Sequence, residues 1–242
     1  MRFDVRRAAS LCPERKIEHF DSIDSTNAEL VKRLKSGTAS PGDVIVADAQ
    51  SAGRGRHGKS FSSLPGGLYF SFVSKKNGEA PLTVAAGVAV ASALTKFGFT
   101  PEIKWVNDVL LGGKKVCGIL AEAVSGTDFC VIGIGINVLA SAIPDELKDI
   151  ATSLDRESGK IPPLEELVAA ILDEYDKLET AGTLKTVAEY KKYLKMLGKK
   201  VTLVQTGEVC TASDVTERGE LICIRDDGSI TILNSGEISI KL

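Results

Sequence analysis

The residues best suited to chemistry lie between Gly53 and Lys59, in the run Gly-Arg-Gly-Arg-His-Gly-Lys. Glycine lets a backbone approach a ligand closely, and the forked guanidinium of arginine suits carboxylate or phosphate oxygens. The side chains available for such contacts are Arg54, Arg56, His57 and Lys59. Because the segment has no apolar side chain to bury, it is predicted to be a loop that stays mobile until an anion orders it. A solvated basic turn is the plain alternative, since short Gly/Arg matches occur by chance.

A second group of polar residues follows, as Lys104-Trp-Val-Asn-Asp108 and then Lys115. The pair Gly112-Gly113 between apolar residues is typical of a two-residue hairpin, which would place Lys115 at the start of its second strand. A basic loop, a carboxylate able to hold Mg²⁺ and a lysine on a rigid strand suit phosphoryl or nucleotidyl chemistry.

With these motifs the chain resembles the biotin protein ligases. That family usually has a Gly-Arg-Gly-Arg-Arg-Gly loop, then Lys-Trp-Pro-Asn-Asp, then a lysine shortly before Gly-Ile-Leu. The corresponding segments here are Gly53–Gly58, Lys104–Asp108 and Lys115–Leu120. Supporting elements are Asp24-Ser-Thr-Asn27, Gln50 just before the loop, and Gly133-Ile-Gly-Ile-Asn137. The resemblance runs from about Ile17 to the C-terminus.

The resemblance implies an ATP-dependent ligase that activates biotin as biotinyl-5′-AMP. The biotinyl group then passes to one lysine of a biotin carboxyl carrier protein. It implies Mg²⁺ as cofactor, with ATP and biotin as substrates, and it admits a homodimer.

The resemblance also implies roles for particular residues. The catalytic residues would be Lys115 and Arg56. The biotin site would comprise Ser25, Thr26, Asn27, Gln50, Arg54, Gly55, Arg56, Lys115 and Gly118. Nucleotide contacts would come from Gly53, Arg54, His57, Lys59, Phe61, Asn107 and Asn137, and Asp108 would hold the metal. Trp105 is expected in the core rather than stacked on a ligand, and His19 has no predicted partner.

Four positions depart from the family pattern. His57 and Lys59 stand where a further arginine is usual, Phe61 where tryptophan is more common, and Val106 where proline is usual. All roughly keep size or potential charge. The departures therefore bear on nucleotide affinity and its pH dependence rather than on the reaction.

Three alternative functions remain open from the sequence. A lipoate–protein ligase is a related adenylating enzyme, but that family lacks the Gly-Arg-Gly-Arg loop. A DNA-binding repressor would need an N-terminal helix-turn-helix domain, and too few residues precede the first shared element here. The chain is thus expected to be a short form that does not bind DNA. A non-catalytic carrier-binding module is disfavoured because Lys115 and Asp108 are both present.

Composition excludes several classes of protein. The chain has 242 residues, a formal net charge of −2 and 43% hydrophobic residues, which argues against a general nucleic-acid binder. Its five cysteines are widely spaced without a Cys-x-x-Cys motif, which favours reduced, buried thiols. No apolar stretch is long enough to span a bilayer and no signal-peptide pattern is present, so a cytoplasmic protein without membrane contact is expected.

Periodicity indicates how these residues are positioned. Short β-branched runs with few intervening helices predict an α+β fold, with a mixed, mainly antiparallel sheet and helices on one face. A buried Ala/Val-rich helix is predicted over Thr83–Phe97, and an amphipathic one after Pro163. Short strands with turn signals from Gly198 onward predict a small SH3-like β-barrel. We therefore expect a catalytic domain over 1–197 and an SH3-like domain over 198–242.

Overall fold

A seven-stranded sheet forms the centre of the larger part of the chain. The computed structural model describes residues 2–76, 82–158, 161–236 and 238–240. The strands of this sheet are β1 Ile17–Phe20, β2 Val44–Ala47, β3 Gly67–Lys75, β4 Glu102–Lys104, β5 Asp108–Leu111, β6 Lys114–Ala123 and β7 Phe129–Asn137. Their order across the sheet is β1-β2-β3-β7-β6-β5-β4. Among these seven described strands, only β1 and β2 pair in parallel, so the predicted mixed, mainly antiparallel sheet is confirmed.

Alternation along the strands gives the sheet two apolar faces. Residues such as Val44 and Val46 point into the main core, whereas Ile45 between them belongs to a second, smaller core. The main core is covered by α1 Val5–Leu11, α3 Leu82–Lys96, the short α4 Leu154–Ser158, α5 Leu164–Ala181 and α6 Thr183–Tyr193. Helix α2, Thr26–Lys35, packs Leu30 and Leu34 on the opposite face. Most helices therefore lie on one face as expected, but α2 covers the other because its apolar stripe matches the alternate residues of the strands.

The two long helices follow their sequence patterns. Helix α3 is buried almost all round, as its alanine and valine content predicts. The apolar stripe of α5 is buried along its length, from Leu164 to Leu178. Helix α1 was not predicted, because two arginines interrupt its short apolar pattern. Asp4 caps it by accepting hydrogen bonds from the backbone N–H groups of Arg6 and Arg7.

A second, five-stranded antiparallel sheet forms the C-terminal part. Its strands are β8 Lys200–Leu203, β9 Val209–Val215, β10 Leu221–Ile224, β11 Ile230–Leu233 and β12 Ile238–Ile240. They follow the order β11-β10-β9-β8-β12, so the described pairings form an open sheet. Its inward side chains join the main core. The small β-domain is thus present, packed against the larger one. The domain boundary at 197/198 and barrel closure stay predictions.

The hairpin between β5 and β6 has the predicted turn. Gly112 and Gly113 have φ angles of 55° and 78°, the left-handed values that a type I′ turn needs at both central positions. The turn brings Lys115 onto β6 near Asp108 on β5. Within the described residues, no helix is long and apolar enough to cross a membrane.

Candidate active site

A cavity of about 310 Å³ lies on the face of the large sheet that α2 partly covers. It is lined by the start of α2, by the basic loop after β2, by β6 and β7, and by the small domain. The small domain contributes Val204, Gly236 and Ile238. The motifs separated in sequence therefore meet around one space.

Three glycines form the floor of this cavity. A Cβ atom added to Gly133 would lie 2.0 Å from Oδ1 of Asn27, and one added to Gly135 would lie 2.4 Å from the ring of Phe61. Gly118, paired with Gly135 across β6 and β7, would meet the same ring at 2.7 Å. The isoleucines that alternate with the β7 glycines are buried in the main core. The floor is therefore made of backbone, which lets Asn27 and Phe61 lie directly on it.

The N-terminus of α2 supplies the polar end of the cavity. Ser25 is the N-cap, and its hydroxyl accepts a hydrogen bond from the backbone N–H of Ala28. Gln50, from the segment after β2, accepts the backbone N–H of Thr26 at 2.9 Å. Its amide nitrogen donates to Ser63 Oγ at 2.8 Å. Both groups of the Gln50 amide are therefore held by protein partners, which fixes its orientation.

The basic loop folds over the cavity as a closed turn. Backbone hydrogen bonds join Gly55 N to Lys59 O at 2.7 Å and Phe61 N to Gly53 O at 2.9 Å. The tip is a short 3₁₀ turn over Arg56–Gly58, in which His57 has a φ of 54°. Arg54 and Arg56 line the cavity, whereas His57 and Gly58 do not. The predicted ordering by an anion stays a prediction.

Lys115 lies at the centre of the charged groups. Its Nζ atom is 2.7 Å from Oδ1 of Asp108 and 5.7 Å from the centre of the Phe61 ring. Its backbone N–H donates to Ile150 O, so the lysine is held by a strand on one side and by a second backbone on the other. A lysine fixed in this way meets an anion with little loss of conformational freedom.

The two loop arginines have different partners. Arg56 donates from Nη1 to Oδ1 of Asn107 at 3.2 Å, and the Asn107 amide donates in turn to Ile119 O at 2.9 Å. Arg54 lies 3.2 Å from the Glu122 carboxylate. Each end of the loop tip is thus attached to the sheet through an arginine.

Nearby titratable groups are kept neutral by burial. Burial raises the pKa of the Cys117 thiol, even though the charge of Lys115 acts to lower it. Burial likewise raises the pKa of Tyr190, whose hydroxyl donates to Val106 O at 3.1 Å. A neutral, fully buried thiol is a poor nucleophile, so Cys117 is a packing residue here.

Trp105 connects the site to the small domain. Its indole N–H donates to Gly219 O at 2.9 Å, and its side chain is buried in the main core. The residue is buried as expected, but it also lines the cavity, so the expectation that it does not stack on a ligand stays a prediction. His19 does have a partner that the sequence did not indicate: its Nε2 atom lies 2.9 Å from Oδ1 of Asp48.

Most of the predicted site residues meet in the cavity. Those that line it are Ser25, Thr26, Asn27, Gln50, Arg54, Gly55, Arg56, Lys59, Phe61, Asn107, Asp108, Lys115 and Gly118. Gly53 lies behind the loop, where an added Cβ would be 2.3 Å from Phe61 O. His57 is exposed at the tip, and Asn137 donates to Thr152 O at 3.1 Å. These three are not brought to the cavity.

Several residues around the cavity were missed. Ser71 and Glu122 do not line the cavity but contact residues that do. Ser71 is one of two serines in the apolar strand β3, and Glu122 is a carboxylate on β6, so neither was marked by a pattern. Ile150 and Val204 also line the cavity, although both side chains are exposed. No sequence pattern marks an isolated apolar residue as part of a distant site.

The fold and the cavity together define the class of protein. A family model described as the biotin/lipoate A/B protein ligase family matches residues 19–138, and one described as the biotin protein ligase C terminal domain matches residues 196–241. The chain belongs to the biotin/lipoate A/B protein ligase family, and the second match is to its biotin ligase branch.

Particular relatives are biotin ligases. The chain is 30% identical over 241 residues to the biotin–[acetyl-CoA-carboxylase] ligase of Mycobacterium tuberculosis, covering 93% of this chain and 88% of that one. It is 39% identical over 152 residues to the bifunctional ligase/repressor BirA of Bacillus spizizenii, covering 58% of this chain. It thereby spans about half, 47%, of that relative's length.

A solved structure gives the same result in three dimensions. The biotin protein ligase of Aquifex aeolicus, in complex with biotin and ATP, superposes with a TM-score of 0.79 at 32% identity. The match covers 93% of this chain and 98% of that one. The two folds therefore agree over both the large sheet and the small domain.

Proposed function

We propose that this chain joins biotin to a lysine of a biotin carboxyl carrier protein in an ATP-dependent reaction. The observation that carries the proposal is the cavity in which Lys115, the two loop arginines and the polar end of α2 meet. The name of the Mycobacterium relative and the biotin- and ATP-containing Aquifex structure support it.

The reaction has two steps, both of which need anions to be held together. In the first, a biotin carboxylate oxygen attacks the α-phosphorus of ATP and pyrophosphate leaves, which produces biotinyl-5′-AMP. In the second, the uncharged amine of the carrier lysine attacks the acyl carbon, AMP leaves and an amide forms. Positive groups preorganised at the reacting oxygens lower the barrier of the first step.

Lys115 is placed to act in that first step. Its ammonium group would leave Asp108 for the carboxylate and α-phosphate oxygens, where negative charge accumulates. The Phe61 ring beside it restricts the lysine and excludes water. Arg54 and Arg56 extend the positive surface over the cavity and hold the loop down on the bound anions.

The uncharged end of biotin would lie against Ser25, Thr26 and Gln50. These groups come from the cap of α2 and the segment after β2. The residues lie at the buried end of the cavity, and Ser25 and Thr26 are almost inaccessible to water. A polar ring with donors and acceptors suits such a pocket because each buried polar group must be paired.

The donor set near Lys115 fits Mg²⁺ held mainly by phosphates. Mg²⁺ in nucleotide sites takes one or two protein carboxylates, with phosphate and water completing its shell. Asp108 would supply one carboxylate, since it lines the cavity beside Lys115. Mg²⁺ would neutralise phosphate charge there. The described residues contain one group of three potential ligands, His19, Asp21 and Asp48, and none of these lines the cavity.

These observations disfavour the two other enzyme and binding functions that the sequence left open. The match to a biotin protein ligase C terminal domain favours biotin over lipoate. A non-catalytic carrier-binding module would not require Lys115 and the arginines to meet. The cytoplasmic placement, a homodimer and the absence of DNA binding stay predictions.

Exchange of labelled pyrophosphate into ATP tests the first step directly. We expect exchange that depends on biotin, is not supported by lipoate, and is followed by labelling of a carrier domain when one is added. Lipoate-dependent exchange would assign the chain to the other branch of its family. Absence of exchange with either acid, in a folded protein, would leave the binding-module alternative.

A further inference from the structure

A chain of hydrogen bonds runs behind the wall of the cavity and ends at Glu122. One carboxylate oxygen of Glu122 accepts from the amide nitrogen of Asn27 at 2.9 Å. The other lies 3.2 Å from Nη1 of Arg54. Glu122 is not among the residues that line the cavity, but it contacts two residues that do.

The Glu122 carboxylate is the stronger of two acceptors that set which way the Asn27 amide faces; the other, Leu120 O, lies 3.5 Å from the same nitrogen. An ionised carboxylate can only accept hydrogen bonds. Asn27 must therefore turn its NH₂ group to Glu122, which directs its oxygen to Ser71. Ser71 is fully buried, and its Oγ atom lies 2.5 Å from that oxygen. The hydroxyl of Ser71 has one hydrogen, and it is given to Asn27.

The direction of the Ser71 hydrogen bond in turn sets the direction of the hydrogen bond between Ser71 and Thr26. The hydroxyls of Thr26 and Ser71 are 2.6 Å apart, a distance that requires a hydrogen between the oxygens. Because the hydrogen of Ser71 is committed to Asn27, Thr26 is the donor. Gln50 Oε1 lies 3.2 Å from the Thr26 hydroxyl, but it already accepts the backbone N–H of Thr26 at 2.9 Å. Thr26 is left with only lone pairs to offer the cavity.

We propose that Glu122 is a positioning residue that, through Asn27 and Ser71, makes the Thr26 hydroxyl an obligate acceptor toward the ligand. The inference rests on the proposed function, in which the ligand at this end is biotin. The cavity then selects a ureido N–H at Thr26. Ser25, whose hydroxyl accepts from Ala28, keeps its hydrogen for the ureido oxygen.

Arg54 makes the proposal testable with a single atom change. In Glu122→Gln the guanidinium of Arg54 attracts the new amide oxygen, which turns the amide NH₂ toward Asn27. Asn27 then flips, Ser71 donates to Thr26, and the hydrogen of Thr26 becomes free to point at the ligand. The variant keeps the shape of the pocket and reverses its polarity at one position.

The test measures ligand preference by calorimetry on the full chain. The probes are biotin and its two cyclic carbamate analogues, in which one or other ring N–H is replaced by oxygen. In the parent, the analogue lacking the N–H at Thr26 should bind at least about 1000-fold more weakly than biotin, since polar sites reject ligands that leave them unpaired. Glu122→Gln should reduce this ratio at least about tenfold, because Thr26 can then donate to the ring oxygen.

Two further variants separate polarity from packing. Ser71→Ala removes the acceptor that holds the Thr26 hydrogen, so it should reduce the ratio in the same direction. Glu29→Gln is the control: Glu29 is a partly buried carboxylate on α2, paired with Arg33, and its change should leave the ratio unaltered.

An unchanged ratio in Glu122→Gln, with biotin still preferred by the parent, overturns the inference and leaves the proposed function standing. An equal loss of affinity for biotin and for the analogue also overturns it, since that result assigns Glu122 a structural role. A folded parent that binds no biotin overturns the proposed function instead.

Discussion

At the residue scale, the site depends on charged groups whose partners come from distant parts of the chain. Lys115 is held at 2.7 Å from Asp108, and Arg56 at 3.2 Å from Asn107. These contacts keep the cations in place for incoming anions. Since the ion pair is partly exposed, its own contribution to stability is small. The ion pair serves mainly to position the Lys115 ammonium group.

Lys115→Ala should reduce the rate of adenylate formation far more than it weakens biotin binding. The ammonium group matters most when charge develops on the reacting oxygens, so its loss should cost roughly 3 kcal/mol, or about a hundredfold in rate. Rapid-quench measurement of the first step at saturating biotin and ATP checks this.

Lys114→Ala is the matched control, because the neighbouring lysine is exposed on the same strand and its Nζ atom contacts Lys148 O. It should behave like the parent protein. A collapse of biotin affinity in Lys115→Ala, with a normal rate at saturation, would show that Lys115 only binds.

At the element scale, the basic loop and the glycine floor work together. The loop closes on itself between Gly53 and Phe61, and Phe61 lies on the floor made by Gly118 and Gly135. In the proposed reaction, contact between these two elements would keep water from the reactive anhydride.

Arg56→Gly should release the adenylate without abolishing its formation. The change removes the contact with Asn107 and adds backbone freedom to the open loop, so closure weakens for both reasons. Free biotinyl-AMP should then label lysines at random, which blotting for biotin on an added albumin would detect.

Arg56→Ala separates the two causes, since it removes the contact and keeps the Cβ atom. Labelling of the albumin should be strongest with Arg56→Gly, weaker with Arg56→Ala and weakest with the parent protein. If neither variant labels the albumin, and both release biotinyl-AMP as slowly as the parent, the loop is not a latch.

Gly135→Ala should prevent loop closure by changing the floor of the cavity rather than the loop. The new methyl group would occupy the place of the Phe61 ring, 2.4 Å from its Cε1 atom, so the ring must leave the floor. We expect biotin affinity to fall by roughly ten- to a hundredfold, as for other overpacked sites. Thermal unfolding should change little, because a loop side chain moves rather than the core.

Gly87→Ala is the control for a new methyl group elsewhere. Its Cβ would meet only ordinary contacts in helix α3, the nearest at 3.5 Å from Ile103. Affinity should stay at the parent value there. Unaltered affinity in Gly135→Ala as well would mean that Phe61 has no part in closure.

At the scale of the whole molecule, the small domain completes the site. Val204, Gly236 and Ile238 line the cavity, and the Trp105 indole donates to Gly219 O. The apolar side chains of the small sheet belong to the same core as those of the large one. The two parts are therefore expected to unfold together.

Removal of Lys199–Leu242 should lower the melting temperature and abolish the first step. The truncation exposes apolar core residues and removes one wall of the cavity. Calorimetric unfolding and pyrophosphate exchange measure both effects. Trp105→Phe tests one contact of the small domain, because it deletes the hydrogen bond to Gly219 O and keeps an aromatic ring in the core. It should weaken pyrophosphate exchange without preventing folding. Full exchange and an unchanged melting temperature after truncation would make the small domain dispensable.

The sequence by itself determined the fold class, the buried helices and most of the residues at the site. These features depend on local signals: period-two alternation in strands such as β2, the stripe of α5, and the glycine pair at 112–113. The motifs carry their chemistry in adjacent residues, so Lys115, Asp108 and the arginines could be chosen before their distances were known.

Only the tertiary structure decided what depends on contacts between distant segments. Ser71 and Glu122 join the site because β3 and β6 both adjoin β7, which brings them within reach of Asn27. Helix α2 covers the second face because its stripe meets the alternate residues of those strands. Val204 enters the cavity because two domains share one core. A hydrogen bond or a cavity wall depends on distances of a few ångströms, and residue order specifies such distances only through the complete fold.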